Sequence, residues 1–224
     1  MALRAVVFDF DGTLVDTETS AYESISSVYA DHGQKLELET WAVCIGTLGG
    51  FDPHADLQRR TGKTLNKDEL YKLHRARHAE RLQNATLRPG VLERLAEAHS
   101  LGWKIGLASS SDRAWIEKHL GKQGIRDRFE VICSSDDVKR VKPDPELYIR
   151  AVEALGVRPG EALAIEDSMN GLRAAKAAGL WGLAIPNPVT AQMNFSEADV
   201  LVDSLDRTTF AQIEATLQSR IAQK

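Results

Sequence analysis

The strongest constraint on this chain lies in its first sixteen residues, where a short apolar run, Ala5-Val-Val-Phe8, ends abruptly in two carboxylates, Asp9 and Asp11. An apolar run without alternation reads as a strand buried on both faces, the mark of a parallel sheet. Gly12 follows and supplies a turn residue that tolerates unusual backbone angles. Carboxylates just beyond the carboxyl end of such a strand stand where open α/β sheets place their ligands. Two like charges this close repel, so at least one needs a cation or a raised pKa. A bound Mg²⁺ meets that need with oxygen ligands and would neutralise an incoming phosphate. A carboxylate can also attack phosphorus itself, forming an aspartyl phosphate. Taken alone, the same residues equally suit a plain strand-to-turn boundary where Asp and Gly only bend the chain.

The rest of the chain decides between these readings. Residues from about Thr17 to Asn84 have helical spacing, with Tyr22, Ile25, Ser26 and Tyr29 expected on one face of a first helix closed by Gly33. A second helical stretch carries Trp41, Val43 and Ile45 and breaks at Gly46-Thr47-Leu48-Gly49-Gly50. Asp52-Pro53 restarts a helix, and a long polar helix spans about Asn66 to Gln83. From Pro89 onward, helices and strands alternate. Val91, Leu92, Leu95 and Ala98 form a helix stripe, Lys104 to Ala108 a strand, and Asp112 caps a helix carrying Ile116, His119 and Leu120. Strands are expected at Phe129 to Cys133, Ala162 to Ile165, Trp181 to Ile185 and Val200 to Val202, with helices between and after them. This pattern predicts an α/β fold: a Rossmann-like parallel sheet core with an inserted α-helical cap. The core is expected from 1–16 and 89–224, and the cap from 17–88.

Strand ends then present polar groups at one edge: Asp9 and Asp11, Ser109, the stretch before Lys142, and Glu166-Asp167. In a parallel sheet all of these converge on one crevice. Each has a bland reading: Ser109 to Ser111 as a helix start, Lys142-Pro-Asp-Pro145 as a stiff loop, and Glu166-Asp167 as charges favoured by a helix dipole. Four such coincidences in order point to one function.

Their order and wording resemble the haloacid dehalogenase superfamily of phosphotransferases. Asp9-Phe-Asp11-Gly-Thr13 is similar to its first motif, Ser109 to its second, Lys142 to its third and Glu166-Asp167 to its fourth. The helical cap, Asp16-Thr17 and Lys142-Pro-Asp-Pro145 resemble the β-phosphoglucomutase-like group. The resemblance implies that Asp9 is the nucleophile and Asp11 the proton carrier. It implies Mg²⁺ held by Asp9, the Asp11 carbonyl and Asp167, with Glu166 beside them. Ser109, Ser110, Lys142 and the backbone near Gly12 are then expected to hold phosphoryl oxygens. The implied activity is a Mg²⁺-dependent phosphatase acting on a small phosphorylated metabolite, a sugar phosphate first. One alternative is a sugar phosphomutase; another is a non-catalytic module that binds a metabolite or partner. Mutases of that group carry an arginine after the cap glycine and a histidine early in the first cap helix, where this chain has Thr47 and Ala21. Gly46, Thr47, Arg75 and Arg77 are the expected specificity residues in the cap.

Composition excludes other classes. The 224 residues carry a net charge of -4, against a general nucleic-acid or membrane-surface binder. No apolar run approaches the roughly 18 residues of a membrane span. Two cysteines in a chain of this size suggest unbridged thiols in a reducing cytoplasm, and a monomer with a small phosphate ester as its partner is expected. His74 and His78 lie four apart on a helix face but lack the third ligand of a zinc site.

Overall fold

The computed structural model describes residues 2–47 and 49–222. Six parallel strands form one sheet: β1 (Ala5–Phe8), β2 (Lys104–Ala108), β3 (Val131–Cys133), β4 (Ala162–Glu166), β5 (Trp181–Ala184) and β6 (Val200–Leu201), in the order β3-β2-β1-β4-β5-β6. β1 is central and wholly buried. Its side chains alternate between faces, as the pleat requires. Val6 and Phe8 join one core with residues of α5 (Val91–Ser100), α6 (Arg113–Gln123) and α9 (Phe210–Ala222). Ala5 and Val7 join the opposite core with α7 (Glu146–Leu155) and α8 (Met169–Ala177). The result is a sheet covered by helices on both faces, as the sequence pattern predicts.

Between β1 and α5 lie α1 (Thr17–Asp31), α2 (Leu38–Ala42), α3 (Pro53–Thr61) and α4 (Lys67–Arg81). They share a separate apolar cluster built on Ile25, Val28, Tyr29, Trp41, Leu57 and Leu70. The two chain segments entering and leaving this block are paired: Val15 bridges Leu87, and the Arg88 amide donates to the Leu14 carbonyl at 2.8 Å.

Several expectations need correction. Val43 lies beyond the end of α2 and is 59% exposed, so it is no core residue. Leu92 is 54% exposed, because Val91, Leu95 and Ala98 already define the stripe and Leu92 sits about 100° around the helix from Val91. On α1, Val28 is buried and Ser26 only half-buried, shifting the buried face by part of a turn. Phe129 and Glu130 precede β3, Phe129 closing a 3₁₀ turn onto the Arg126 carbonyl. Both cysteines are free, and burial pushes their thiols up, Cys44 to about 12 and Cys133 to about 11.

Candidate active site

The chain runs outward from β1 to β3 and returns to β4 on the other side of β1. The connections after β1 and β4 therefore diverge, opening a crevice at their carboxyl ends. Asp9 and Asp11 follow β1 and Glu166-Asp167 end β4, so both acidic pairs meet at this switch point.

Asp9, Glu166 and Asp167 each bring an oxygen within 4.8 Å of the others, all buried. The Lys142 ammonium, 1% exposed, donates to Asp9 Oδ1 and, at 2.7 Å, to Glu166 Oε1. Glu166 also accepts from the Tyr148 hydroxyl at 2.6 Å and from Ser168 Oγ at 3.2 Å. One ammonium cannot balance three buried carboxylates. Burial, with Glu166 and Asp11 nearby, pushes Asp9 up to about 7 even against Lys142. Asp167 is raised well above the usual carboxylate range by burial first and then by Asp9 and Glu166. The same field holds the Lys142 ammonium above its ordinary value despite burial.

Asp167 shows where compensation is missing. Asn187 Nδ2 donates to its Oδ2 at 2.6 Å, whereas its buried Oδ1 has no partner among the described residues. A buried carboxylate oxygen left alone beside two other carboxylates is the donor arrangement that a hard cation satisfies. The backbone makes room for this group: Gly12, at φ +81°, would drive a Cβ to 2.1 Å from Asp167 Oδ2.

Asp11 is held quite differently, by neutral donors. Its Oδ1 accepts from Thr17 Oγ1 at 2.8 Å and from the Trp115 indole nitrogen at 3.0 Å. Its Oδ2 accepts from Ser111 Oγ at 2.5 Å, with Ser109 Oγ at 3.5 Å. The Asp11 side chain thus stands outside the carboxylate cluster.

A cavity of about 180 Å³ lies between these groups and the helical block, lined by Asp9, Asp11, Ser109, Ser110 and Ser111 from the sheet side. Thr17, Glu18, Ala21, Gly46, Thr47, His78 and Trp115 complete it. The segment 45–47 rests on the sheet's carboxyl edge. Asn170 Nδ2 donates to the Ile45 carbonyl at 2.8 Å, Ser110 Oγ to the Gly46 carbonyl at 3.1 Å, and Thr47 Oγ1 to the Lys142 carbonyl. Leu48 lies outside the described residues; Gly49 and Gly50 are exposed.

Of the expected phosphate-binding groups, Ser109 and Ser110 line the cavity, and Lys142 sits behind Asp9. Two expectations are corrected. The Gly12 amide donates to the Val15 carbonyl at 2.8 Å and is thereby committed to its own turn. Arg75 and Arg77 do not line the cavity: Arg75 bonds and stacks on Tyr71, while Arg77 bonds Ser27 and, at 2.6 Å, pairs with Asp31. Both face away because α4 turns His74 and His78 inward against α1 instead. His78 stacks on Trp115, with ring centres 5.7 Å apart.

Three contributors gave no readable signal in the sequence. Arg88 donates to the carbonyls of Gly12 at 2.6 Å, Ile185 at 2.8 Å and Pro186 at 2.7 Å, tying the segment that leaves the helical block to the loops after β1 and β5. Asn187 orients its amide by accepting from the Val189 and Thr190 amides. Trp115 reaches Asp11 from the first turn of α6, and only its position three residues after the capping Asp112 hints at where it points.

The comparisons with known proteins agree with this geometry. A model of the haloacid dehalogenase-like hydrolases matches residues 3–179. The putative phosphatase YhcW of Bacillus subtilis is 45% identical over 218 residues, covering 97% of this chain and 99% of that protein. Hexitol phosphatase B of Escherichia coli K12 is 32% identical, with 92% and 95% covered. Among solved structures, CbbY from Rhodobacter sphaeroides in complex with phosphate aligns with a TM-score of 0.74 at 30% identity, over 95% of this chain and 99% of that one. The chain therefore belongs to the haloacid dehalogenase-like hydrolase family and is an enzyme.

Proposed function

We propose that this hydrolase is a Mg²⁺-dependent phosphatase that cleaves a small phosphorylated metabolite, in the first place a sugar phosphate, through an aspartyl phosphate on Asp9. The observation that carries the reading is the contrast between two carboxylates on one cavity wall: Asp9 pairs with a buried ammonium, Asp11 with neutral donors. The first arrangement suits a charged nucleophile and the second a group that gives and takes a proton. Asp9 attacks phosphorus, the bond to the ester oxygen breaks, and Asp11 gives that oxygen its proton. Asp11 then takes a proton from water, whose oxygen attacks the phosphoaspartate and releases inorganic phosphate. Ser109 offers a hydroxyl to the phosphoryl oxygens. Ser110 spends its hydrogen on the Gly46 carbonyl and so holds the loop above them.

The donor set fits Mg²⁺. Asp9, Asp167 and the Asp11 carbonyl would hold it, supplying the positive charge that lets a phosphate dianion approach these carboxylates. Glu166, bonded to Lys142, Tyr148 and Ser168, orients the lysine.

Residues 17–88 act as a cap over this site, and 1–16 with 89–224 as the catalytic core. The cavity lining contains no lysine or arginine among the described residues, so nothing there fixes a second phosphate. A compact monophosphate with a neutral, hydroxylated remainder fits best. Hexitol phosphatase B and the phosphorylated carbohydrates phosphatase of Thermotoga maritima, relatives whose names state a substrate class, support a sugar or polyol phosphate. A mutase would need a charge for the far phosphate of a bisphosphate. The two positions where the related mutases carry histidine and arginine, Ala21 and Thr47, face the cavity without either.

The test is phosphate release across a panel of sugar, polyol and nucleotide monophosphates, with product isomers analysed on glucose phosphates. Free phosphate with Mg²⁺, lost in Asp9→Asn, is the expected result. Isomerisation of β-glucose 1-phosphate with little free phosphate would overturn the hydrolase reading.

A further inference from the structure

Four donors meet the Asp11 carboxyl, and three of them are hydroxyls: Thr17, Ser111 and, more distantly, Ser109. A hydroxyl hydrogen rotates, and its oxygen accepts as readily as it donates. Those three groups therefore follow whatever protonation state and rotamer Asp11 adopts. The fourth, the Trp115 indole N–H, only donates and points where its ring points.

That ring is fixed from several sides. The Trp115 amide donates to the capping Asp112 side chain at 2.7 Å, which sets its backbone at the head of α6. Its ring lies 4.2 Å from His119, a buried residue one turn further along the same helix. A second ring contact comes from the cap: His78 of α4 stacks on Trp115 at an interplanar angle of 29°. His78 is itself in a row of rings that continues to His74 and His54 within the cap. Burial favours the neutral form of each of these imidazoles, so the row brings no charge to Asp11. The other three tryptophans have no such position: Trp41 and Trp103 are core residues, and Trp181 donates to the Gly160 carbonyl.

We propose that Trp115 is a positioning residue for Asp11, its indole N–H aiming the carboxyl at the leaving oxygen and its ring seating His78 when the cap is down. The inference rests on the reading of Asp11 as proton carrier. In that step the P–O bond breaks as Asp11 transfers its proton to the ester oxygen, and the alcohol leaves neutral. An alkyl alcohol needs that proton; 4-nitrophenolate leaves readily without it. Loss of aim must then cost alkyl esters more than nitrophenyl esters, whereas a packing defect would cost both alike.

Trp115→Phe keeps a ring for His78 and His119 and removes the N–H. kcat/KM is measured for 4-nitrophenyl phosphate and for sorbitol 6-phosphate or glycerol 3-phosphate, whichever the wild type turns over faster. The alkyl ester should lose roughly tenfold, a part of the 10²–10⁴ that a positioned acid supplies, and the nitrophenyl ester less than about twofold. His78→Ala, which leaves the N–H in place, should show a smaller loss in the same sense. Equal losses on both esters, or none, in a folded Trp115→Phe protein overturn the proposal. Equal losses in His78→Ala overturn its cap half. Asp11→Ala separates this from the parent reading: if it too shows no preference between esters, Asp11 is not the proton carrier and both fall. If it shows the preference while Trp115→Phe does not, only the role of Trp115 falls.

Discussion

On the proposed mechanism, Asp9 and Lys142 each serve both chemistry and stability. Asp9→Asn should abolish turnover while leaving the folded state intact, since an amide still accepts from Lys142 but cannot form the acyl phosphate; steady-state assays with circular dichroism check both halves. Lys142→Met should do more damage. Asp9 and Glu166 would lose their shared cation inside the protein, and breaking a buried pair costs about 3–5 kcal/mol. Denaturant titration should show that loss in a protein that also lacks activity. The sequence made the charged members of this site legible because they follow strands in fixed order, Asp9, Asp11, Glu166 and Asp167 at strand ends and Lys142 in the loop after β3, and all reach one crevice. Which of them touch was not legible. That Lys142 pairs with Glu166, or that Asp167 depends on Asn187, follows from side-chain reach across a packed core, and no local pattern encodes it.

At the scale of elements, the strands were readable because buried parallel strands are short apolar runs bounded by turn residues. β2 falls where its apolar run predicts, whereas β3 is shorter at its start because Phe129 is drawn into a preceding turn. Helix faces were read less well wherever adjacent apolar residues, such as Val91 and Leu92, competed for one stripe. α4 is the most instructive case. Its charges suggested a working arginine face, yet the residues it turns inward are His74 and His78, and only His78 reaches the cavity. Burial, with His78 and His54 beside it, lowers His74 to about 4. The unfolded chain takes up that proton near pH 6.5, the folded one only near 4, so protons favour unfolding below 6.5. The contribution is complete above pH 6.5 and is lost progressively as pH falls towards 4, amounting to at most about 3 kcal/mol. Amide exchange in α1 and α4 should therefore accelerate across that window before the sheet does, and His74→Phe should flatten the change. Exchange rates in the helices that track those of the sheet would contradict this.

For the whole molecule, the central question is how two packed bodies share one site. The sequence read the helical insert as a cap over the ligand end of the sheet, but not which contacts seat it there. That arrangement depends on bonds between residues more than fifty positions apart, such as Asn170 with Ile45. Charge balance supplies one link between the bodies. With three carboxylates and one ammonium at the switch point, Mg²⁺ should raise the melting temperature, by about 2.7 kcal/mol of linkage at a hundredfold excess over its Kd, and a chelator should reverse it. The loop contacts supply another. Asn170→Ala removes the half-buried amide donor to the Ile45 carbonyl from the first turn of α8, and leaves the carboxylate cluster untouched. If the cap moves between a lowered and a raised position, a net hydrogen bond of about 0.5–1.5 kcal/mol lost from the lowered one should shift that balance by roughly two- to thirteenfold. If the substrate is gripped only with the cap lowered, its apparent affinity falls with the fraction in that state. KM for a polyol phosphate should rise, while amides around 38–47 exchange faster in the free protein. Inorganic phosphate, which on the proposed mechanism needs only the core side of the site, should still inhibit with its wild-type constant. An unchanged KM together with faster exchange would mean that the loop's contacts hold the cap in place without contributing to substrate binding.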